Sequence, residues 1–513
     1  MQLWASKYSL CPYIADHDTN GDDTLSKKVL AIDFGASSGR AIVGEFDGKK
    51  ISLTEIHRFS NDPVILNGTM YWDVLRLFHE IKQSLIKAKP YGAESVAIDT
   101  WGVDFGLLDK DGRLLENPVH YRDSRTAGMV DESFKLIDRN EFYGITGNQF
   151  MEINTAFQLL SLVKNRPDLL DRADRLLLMP DLFGYFLSGE KCAEQSIAST
   201  TQLFDAKKRS WSDEVLGKLG IKRTLMPDIV KSGSVIGTLS KELCEELDIE
   251  PVKVIAVCGH DTQCALAATP AREKDFIFLS CGTWSLLGTE LDEPVIDDNS
   301  YRLNITNELG YAEKTSFLKN IIGLWLIQES RRQWIREGRE YSFSELESMA
   351  KAALPFRCFI DPDAPEFTPA GNIPKRIKEY CEWTGQYVPQ TDGEVMRCIY
   401  ESLALKYRSA KEELEACTGR IYSTIYMVGG GTKDRFLSQL TACSCNCRVS
   451  SGPIEATSLG NIAIQLMADG EIEDLAQARE IVRNSEKIYT FEPEDAEEWS
   501  AAYKTYMEVI TNA

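Results

Sequence analysis

The feature that most constrains the fold is a strand–turn–strand pattern that occurs twice, in well-separated parts of the chain. In the first copy, the apolar run 29–33 leads into a polar turn at 34–40 and an alternating segment at 41–46. In the second copy, the apolar run 276–280 leads into small and polar residues up to Ser285. Short apolar runs bounded by turn residues are typical of buried strands. The repetition predicts a duplicated α/β core with a cleft between its halves.

Segments with helical spacing of apolar residues occur between and after these strands. Such spacing is found at 74–86, 393–417 and 459–469, and the tail 494–510 has the pattern of an acidic amphipathic helix. Alternating strands and helices favour packed α/β layers. We therefore expect an N-terminal extension at 1–27 that is disordered, an N-terminal domain at 28–270, a C-terminal domain at 271–490 and a C-terminal helix at 491–513.

The charge balance excludes several classes of partner. The chain has 57 basic and 78 acidic residues, for a net charge of −21. The summed field repels nucleic acid and anionic membrane surfaces. The sequence lacks a run of about 18 apolar residues, which predicts that no transmembrane helix forms, and its start lacks the pattern of a signal peptide. We expect a cytoplasmic monomer or small homo-oligomer whose ligands are small molecules.

The thirteen cysteines are spread irregularly along the chain. An odd number in a long chain favours reduced thiols over a disulfide framework. Cys443, Cys445 and Cys447 form the one unusual cluster. A zinc site would need further ligands, so core thiols or an incidental disulfide are the favoured interpretations.

Two turns contain residues that suit anion binding. The first follows Asp33 and contains two glycines, which let the backbone approach an anion, and the hydroxyls of Ser37 and Ser38. An acid at the end of a strand can hold Mg²⁺, directly or through water. The second turn, at 280–285, has the same small polar character, and the two would face each other around the phosphates of a nucleotide. Taken alone, the first turn is equally compatible with an ordinary hairpin.

A third glycine cluster, 429–431, follows the strand-like segment 425–428. Bare backbone at the end of a strand would let a flat base and ribose lie against it. A flexible turn before a helix would explain the same residues.

The most informative segment is the buried strand 254–257, which leads to His260, Asp261 and Thr262. Ligand sites of α/β proteins lie at the carboxyl ends of such strands. An aspartate there can accept the proton of an attacking hydroxyl during phosphoryl transfer, with its neighbours as hydrogen-bonding partners. For an isolated triplet, a helix N-cap without a catalytic role is the simpler interpretation.

In their order and number, these motifs resemble those of the FGGY carbohydrate kinase family, in the actin-like ATPase superfamily. The resemblance covers nearly all of residues 29–490. The segments that match the motifs of the family are 31–40, 98–105, 121–125, 179–181, 259–262, 280–285, 318–328, 428–431 and 453–461. It implies two duplicated ribonuclease H-like domains with ATP and a sugar in the cleft between them.

The resemblance also implies roles for individual residues. Asp261 matches the catalytic base, and Asp33 is expected to position Mg²⁺ from the chemistry of the superfamily. The positions that match ATP contacts are Ala36, Ser37, Ser38, Gly39, Arg40, Thr283, Gln328 and Gly431. The positions that match ketose contacts are Gly102, His260, Asp261, Thr262 and Asn320.

Four further residues near these motifs have open interpretations. Asp104 either faces the sugar or braces the hairpin in which it lies. Arg122 and Arg125 either contact substrate or form structural ion pairs. Cys281 occupies a turn position where a small hydroxyl residue would also fit, which leaves room for sensitivity to oxidation.

The implied activity is ATP-dependent phosphorylation of a ketose, with ATP as co-substrate and Mg²⁺ as cofactor. Within the family, the segments 99–105 and 260–262 point to the 1-hydroxyl of L-rhamnulose as the acceptor, with L-rhamnulose 1-phosphate and ADP as products. One alternative is a kinase for another ketose, such as L-fuculose or L-xylulose. The other is a catalytically silent sugar or nucleotide sensor on the same fold, against which the intact Asp261 argues.

Overall fold

The computed structural model describes residues 26–512, so the extension expected at 1–27 lies almost entirely outside the described residues. Its last residue, Lys27, already belongs to the first strand and pairs with Phe46 of the second. The strand therefore begins two residues before the apolar run that predicted it.

The N-terminal half contains the strands β1 (Lys27–Phe34), β2 (Ser38–Phe46), β3 (Ile51–Ser60), β4 (Val64–Leu66), β5 (Thr69–Tyr71), β6 (Ser95–Thr100), β7 (Phe105–Leu108), β8 (Arg175–Leu178), β9 (Cys192–Glu194), β10 (Phe204–Asp205), β11 (Ser210–Trp211), β12 (Asp228–Val230), β13 (Ser234–Thr238) and β14 (Lys253–Ala256). Its helices are α1 (Val74–Ala88), α2 (Met129–Phe134), α3 (Arg139–Thr146), α4 (Thr155–Asn165), α5 (Pro167–Arg172), α6 (Met179–Ser188), α7 (Gln195–Ser199), α8 (Asp213–Lys218), α9 (Lys241–Leu247) and α10 (Asp261–Ala267).

The C-terminal half contains the strands β15 (Ile277–Cys281), β16 (Trp284–Leu291), β17 (Thr306–Leu309), β18 (Thr315–Ile322), β19 (Thr424–Val428), β20 (Arg448–Ser451) and β21 (Tyr489–Phe491). Its helices are α11 (Asp298–Arg302), α12 (Trp325–Arg336), α13 (Phe343–Ala352), α14 (Ile373–Trp383), α15 (Asp392–Thr418), α16 (Arg435–Cys445), α17 (Ala456–Ala468), α18 (Leu475–Ser485) and α19 (Ala496–Asn512).

The main sheets of the two halves share the arrangement of six strands, and the second sheet has one additional edge strand, β17. Their strand orders are β13-β14-β6-β1-β2-β3 and β17-β18-β16-β15-β19-β20-β21. In the first sheet, β1 is antiparallel to β2 and parallel to β6, which is in turn parallel to β14. In the second sheet, β15 is antiparallel to β16 and parallel to β19, which is in turn parallel to β20. The predicted duplication is confirmed.

The long helices form where the apolar spacing predicts them. The clearest is α15, which begins with a capping box: Thr391 accepts a hydrogen bond from the backbone of Glu394, whose carboxylate accepts one from the backbone of Thr391. It ends at Gly419, whose φ of 66° is the left-handed conformation that favours glycine at a helix end. Its buried face belongs to the main core of the C-terminal half.

The two halves meet along α10 and α17. Helix α17 carries a polar stripe that faces the first sheet, where Asn461 Nδ2 donates to Asp99 Oδ2 over 2.6 Å. One turn further on, Gln465 Nε2 donates to the carbonyl oxygen of Leu30 over 3.1 Å. These buried bonds fix the sheet of one half against a helix that follows the sheet of the other.

The cysteines of residues 26–512 are all free thiols, and Cys443, Cys445 and Cys447 are buried. A different trio brings its sulfur atoms within 4.8 Å of one another: Cys358, Cys381 and Cys398. Three thiols fall short of the four ligands of a structural zinc site. In the same described region, no helix combines the length and the apolar character needed to cross a membrane.

Candidate active site

A cavity of about 740 Å³ lies in the cleft between the two halves. Most of the predicted site residues line it, although they come from distant parts of the sequence. They are Asp33, Ala36, Ser37, Ser38, Arg40, Gly102, His260, Asp261, Thr262, Thr283, Asn320, Gln328 and Gly431. Gly39 and Asp104 are the predicted site residues that do not line this cavity.

The two predicted turns lie on this cavity with a fixed backbone. Between β1 and β2, the amide of Gly35 donates to the carbonyl oxygen of Ser38 over 3.0 Å. Between β15 and β16, the amide of Gly282 donates to the carbonyl oxygen of Trp284 over 2.9 Å. Such preformed turns hold their small and hydroxyl side chains at the cavity, where an anion can approach them.

The C-terminal half contributes a second group of contacts to the cavity. Thr283 Oγ1 donates to Gln328 Oε1 over 3.3 Å, which joins two of the predicted ATP contacts. Gly431 lies against Cys281 so closely that a Cβ built on it would stand 2.3 Å from the sulfur. Cys281 is 1% exposed, and burial raises the pKa of its thiol to about 12. A thiol that stays protonated is a poor nucleophile, which argues against oxidation at this turn.

Asp261 is the first residue of α10, which begins after a four-residue connection from the end of β14 at Ala256. Its Oδ1 accepts hydrogen bonds from the amide and the hydroxyl of Thr262, at 2.6 and 3.2 Å. Burial raises the pKa of the Asp261 carboxyl to about 6, and the neighbouring imidazole of His260 opposes that shift. The residue before the helix is His260, which makes no capping hydrogen bond with its side chain. A largely buried carboxylate with a pKa just below neutrality can accept a proton.

Asp33 and Arg40 form an ion pair at the base of the first turn. Arg40 Nη2 lies 2.8 Å from Asp33 Oδ2, and Arg40 Nη1 lies 2.8 Å from a carboxylate oxygen of Glu455. Ser458 Oγ donates to the same Oδ2 of Asp33. Within residues 26–512, the hydrogen bonds to the Asp33 side chain go to Oδ2, so Oδ1 is available to a ligand in the cavity.

Asp99 is a buried carboxyl to which the sequence motifs assign no role in the site. It lies beside Asp33 in the register of β1 and β6 and is fully buried. Its Oδ1 has no hydrogen-bond partner among the described residues. Burial, and then the charge of Asp33, raise the pKa of Asp99 well above its usual range.

Asp104 lies behind the cavity wall, where four donors surround its carboxylate. Oδ2 accepts hydrogen bonds from Trp72 Nε1 at 2.6 Å, Trp101 Nε1 at 3.0 Å and the amide of Tyr121 at 3.2 Å. Oδ1 accepts from Gln158 Nε2 at 2.9 Å. With 1% exposure and every donor supplied by the protein, Asp104 holds two wall residues, Trp101 and Tyr121, in place.

Gly39 serves packing in this structure. A Cβ built on it would stand 2.3 Å from the ring of Phe59 on β3. The absence of a side chain at Gly39 therefore lets β3 close over the first turn.

The two arginines of the segment 121–125 lie outside the cavity lining. The guanidinium of Arg122 lies 4.4 Å from the ring centroid of Trp325 and donates to the carbonyl oxygen of Thr368 over 2.8 Å. Arg125 Nη2 donates to Gln158 Oε1 over 2.6 Å. Both arginines have structural partners here, and Arg122 connects the two halves.

The cavity is also lined by residues to which the sequence motifs assign no role. Gln149 Oε1 accepts hydrogen bonds from the backbone and the side chain of Asn320, and Glu308 pairs with His260. Further lining residues without a predicted role are Asn148, Thr200, Thr306, Phe343, Ser344, Glu347 and Lys433. Each is a single polar or aromatic residue in an ordinary segment, and only tertiary packing brings it to the cleft.

Comparison with known proteins agrees with this architecture. The model of the N-terminal domain of the FGGY family of carbohydrate kinases matches residues 28–268, and the model of its C-terminal domain matches residues 277–468. A rhamnulokinase of Bacteroides thetaiotaomicron is 42% identical over 93% of this chain and 98% of its own length. A rhamnulokinase of Oceanobacillus iheyensis is 40% identical over 90% of this chain and 97% of its own length.

Solved structures with low sequence identity show the same fold. A ligand-bound xylulose kinase from Lactobacillus acidophilus superposes with a TM-score of 0.80 at 17% identity, covering 95% of this chain and 98% of that one. A glycerol kinase of Plasmodium falciparum with ADP superposes with a TM-score of 0.75 at 16% identity, covering 94% of this chain and 98% of that one. Together with the matched domains, the duplicated sheets and the cleft between them, these likenesses lead to one conclusion: the chain belongs to the FGGY family of carbohydrate kinases.

Proposed function

We propose that the protein transfers the γ-phosphoryl group of ATP to the 1-hydroxyl of L-rhamnulose, giving L-rhamnulose 1-phosphate and ADP. The observation that carries the reaction type is the Asp261 carboxylate at the start of α10, in a cleft lined by both small-residue turns. The choice of sugar is supported by two relatives that are rhamnulokinases. Their sequences align with nearly the whole of this chain.

Asp261 is proposed as the general base. Its hydrogen bonds from Thr262 go to Oδ1, so Oδ2 can receive the proton of the attacking hydroxyl. With a pKa of about 6, the carboxyl is ionised at neutral pH and is still basic enough to take that proton. Proton transfer to Asp261 raises the nucleophilicity of the oxygen as it approaches the γ-phosphorus in line.

The nucleotide is proposed to lie between the two turns. The turn residues Ala36, Ser37, Ser38 and Arg40, together with Thr283, would contact its phosphates, and Gly39 would only shape the turn that presents them. Gln328 and Gly431 would lie beside the ribose and base. Arg40 keeps this proposed role although its guanidinium already pairs with Asp33 and Glu455. Its positive charge lies at the cavity either way and would favour the phosphates.

Mg²⁺ is proposed to be held at Asp33. Hard oxygen donors are the ligands that Mg²⁺ prefers, and the free Oδ1 of Asp33 and the hydroxyls of Ser37 and Ser38 line the same part of the cavity. The donor set fits the ion. When bound, Mg²⁺ neutralises charge on the phosphates.

The sugar is proposed to lie at the end of the cavity formed by His260, Thr262, Asn320 and Gly102. Gly102 leaves little room beside Thr200, because a Cβ built on it would stand 3.3 Å from the threonine Oγ1. Asp104, at first a candidate sugar contact, is proposed to act only through the wall residues that it holds. We also propose a cytoplasmic location, which the free cysteines of the described residues support.

A coupled ADP-release assay tests the proposal. The purified protein is incubated with Mg-ATP and L-rhamnulose, L-fuculose, L-xylulose or D-xylulose, with glycerol as an outgroup. We expect the highest kcat/KM with L-rhamnulose. A preference for another ketose would overturn the substrate and leave the reaction type intact. Binding of ATP without turnover of any sugar would overturn the kinase itself and favour a sensor.

A further inference from the structure

Glu308 joins the two halves of the protein beside the proposed base. It lies on β17 of the C-terminal half, and its Oε2 is 3.0 Å from His260 Nδ1 of the N-terminal half. The same oxygen accepts a hydrogen bond from Gln263 Nε2 over 3.1 Å. Glu308 and His260 are 5% and 8% exposed. A carboxylate this deeply buried needs partners, and here both come from the opposite half.

The geometry of His260 connects Glu308 to Asp261. The Nδ1 side of the imidazole faces Glu308, and Nε2 lies 3.5 Å from Asp261 Oδ1. Because the two ring nitrogens point in opposite directions, a hydrogen bond from Nδ1 to Glu308 fixes the direction of Nε2, which can donate to Asp261 while the ring is protonated. Burial opposes that charge, but the carboxylates of Glu308 and Asp261 outweigh it and raise the pKa of His260. The imidazole therefore lies between two carboxylates, one from each half.

Building on the proposed kinase function, we propose that Glu308 is a positioning residue: it holds His260 so that the imidazole orients Asp261 toward the attacking hydroxyl. Placement of the base then depends on both halves, because Glu308 moves with the C-terminal sheet and Asp261 moves with the N-terminal sheet. Ser316 Oγ on β18 adds a parallel link, because it donates to Gln263 Oε1 over 2.5 Å.

The other charged groups around His260 do not take this role. Glu194 of the N-terminal half also faces this region, but its Oε2 accepts hydrogen bonds from the amides of Ile197 and Gly259 and from Ser196 Oγ. Its Oε1 accepts from the hydroxyl of Ser232. Among residues 26–512, Glu308 is thus the carboxylate that is hydrogen-bonded to the imidazole.

Glu308 also lines the cavity, which raises direct contact with the sugar as the competing role. Steady-state kinetics of Glu308→Gln separate the two roles. Loss of positioning lowers kcat about 10- to 100-fold, the range seen for hydrogen-bond partners that orient metal-ligating histidines, with less change in KM for the ketose. A rise in KM with an unchanged kcat would assign Glu308 to sugar binding and overturn the proposal, and so would unchanged kinetics.

A matched control is Glu290→Gln. Glu290 is another nearly buried carboxylate of the same sheet, on β16, and pairs with Arg479 of α18 over 2.8 Å, outside the cavity. We expect this variant to keep its kcat even if its melting temperature falls. An equal loss of kcat in both variants would indicate a general effect on the sheet and contradict a specific role of Glu308.

A double-mutant cycle tests whether Glu308 acts through His260. If it does, Glu308→Gln lowers kcat much less in a His260→Gln background than in the wild type, since the residue through which it acts is already gone. Full additivity of the two losses would overturn the proposal.

A spectroscopic readout keeps the test independent of turnover. The chain has five histidines, so ¹⁵N-histidine labelling gives few signals, and the His260→Gln variant assigns the relevant pair. We expect an Nδ1-protonated, hydrogen-bonded His260 in the wild type and a changed signal in Glu308→Gln. A wild-type His260 without that proton would overturn the proposal even if the glutamine variant fails to fold. Inactivity of the wild type on every ketose would instead refute the kinase function, while the spectra would still report on the contact.

Discussion

Gly460 of α17 lies so close to Cys264 of α10 that a Cβ built on the glycine would stand 1.8 Å from the cysteine's carbonyl oxygen. This approach lets the two helices that join the halves pack backbone to backbone. We expect Gly460→Ala to lower the free energy of unfolding by about 1–3 kcal/mol or more, because overpacking forces backbone shifts. Thermal and urea unfolding measure the loss.

Gly217→Ala is the matched control for that prediction. Gly217 also lies within a helix, α8, but a Cβ on it would meet no atom within 4 Å. Alanine is the better helix former by roughly 1 kcal/mol, so this variant should be as stable as the wild type or slightly more so. Equal stability of Gly460→Ala and the wild type would mean that α10 and α17 can separate without cost.

Replacement of the proposed base is the most direct test of the site. We expect Asp261→Asn to lower kcat by about 100- to 10,000-fold, the usual contribution of a general base, while circular dichroism and ATP binding stay close to those of the wild type. Asp298→Asn is the control, since Asp298 is likewise the first residue of a helix, α11, but does not line the cavity. Near-normal turnover of Asp261→Asn would refute the assignment.

The raised pKa of Asp261 predicts how activity depends on pH. Only the ionised carboxylate can accept a proton, and its pKa is raised to about 6, chiefly by burial. The value of kcat/KM for the ketose, which reports the groups of the enzyme before the sugar binds, should therefore be constant above neutrality and fall about tenfold for each pH unit well below 6. In the profile of the wild type, an acid limb centred near 4, as for an exposed aspartate, would contradict a buried base.

The same shift predicts an effect on stability. Between the unfolded pKa near 4 and the folded value of about 6, the unfolded state releases the Asp261 proton first, so rising pH favours unfolding. Above pH 6 the full cost of the buried charge is present. Asp261→Asn removes that cost, so its gain in melting temperature over the wild type should be larger at pH 7.5 than at pH 4.5. A gain that does not change with pH would contradict the prediction.

The elements that the sequence predicts best are those with strong local patterns. The turns after β1 and β15 and the helices α15 and α17 follow directly from apolar spacing and turn residues. The start of β1 does not follow from the apolar pattern. Lys27 joins the strand through backbone pairing with Phe46, which is independent of side-chain polarity. Likewise, nothing in the sequence of α17 shows that its polar face packs on the sheet of the other half.

The site shows the same limit. Residues at strand tips, such as Asp33 and Asp261, are predictable because the fold class brings such tips together. The role of Glu308 is not predictable, because its strand is short and its partner His260 lies in the other half. The sequence grouped Gly39 with phosphate contacts, yet its packing against Phe59 is visible only in three dimensions.

The indole of Trp72 is predicted to stabilise the charge of Asp104. Its Nε1 donates to Asp104 Oδ2 over 2.6 Å, and both residues are buried. Burial raises the pKa of Asp104 to about 6, and the hydrogen bond from Trp72 opposes that rise. Trp72→Phe removes the donor, so the pKa of Asp104 should rise further, and the ionised form should become more costly in the folded state.

The loss of stability in Trp72→Phe should therefore grow with pH. At pH 5 the folded protein keeps Asp104 largely protonated, and the loss reflects mainly the smaller ring. At pH 8 the lost hydrogen bond to a charged group adds about 1.5–3 kcal/mol. Trp383→Phe is the control, because Trp383 is 61% exposed on α14 and should change the free energy of unfolding by less than about 0.5 kcal/mol at either pH. Urea unfolding at the two pH values decides the matter: an equal loss at both would mean that Trp72 acts on stability by packing alone.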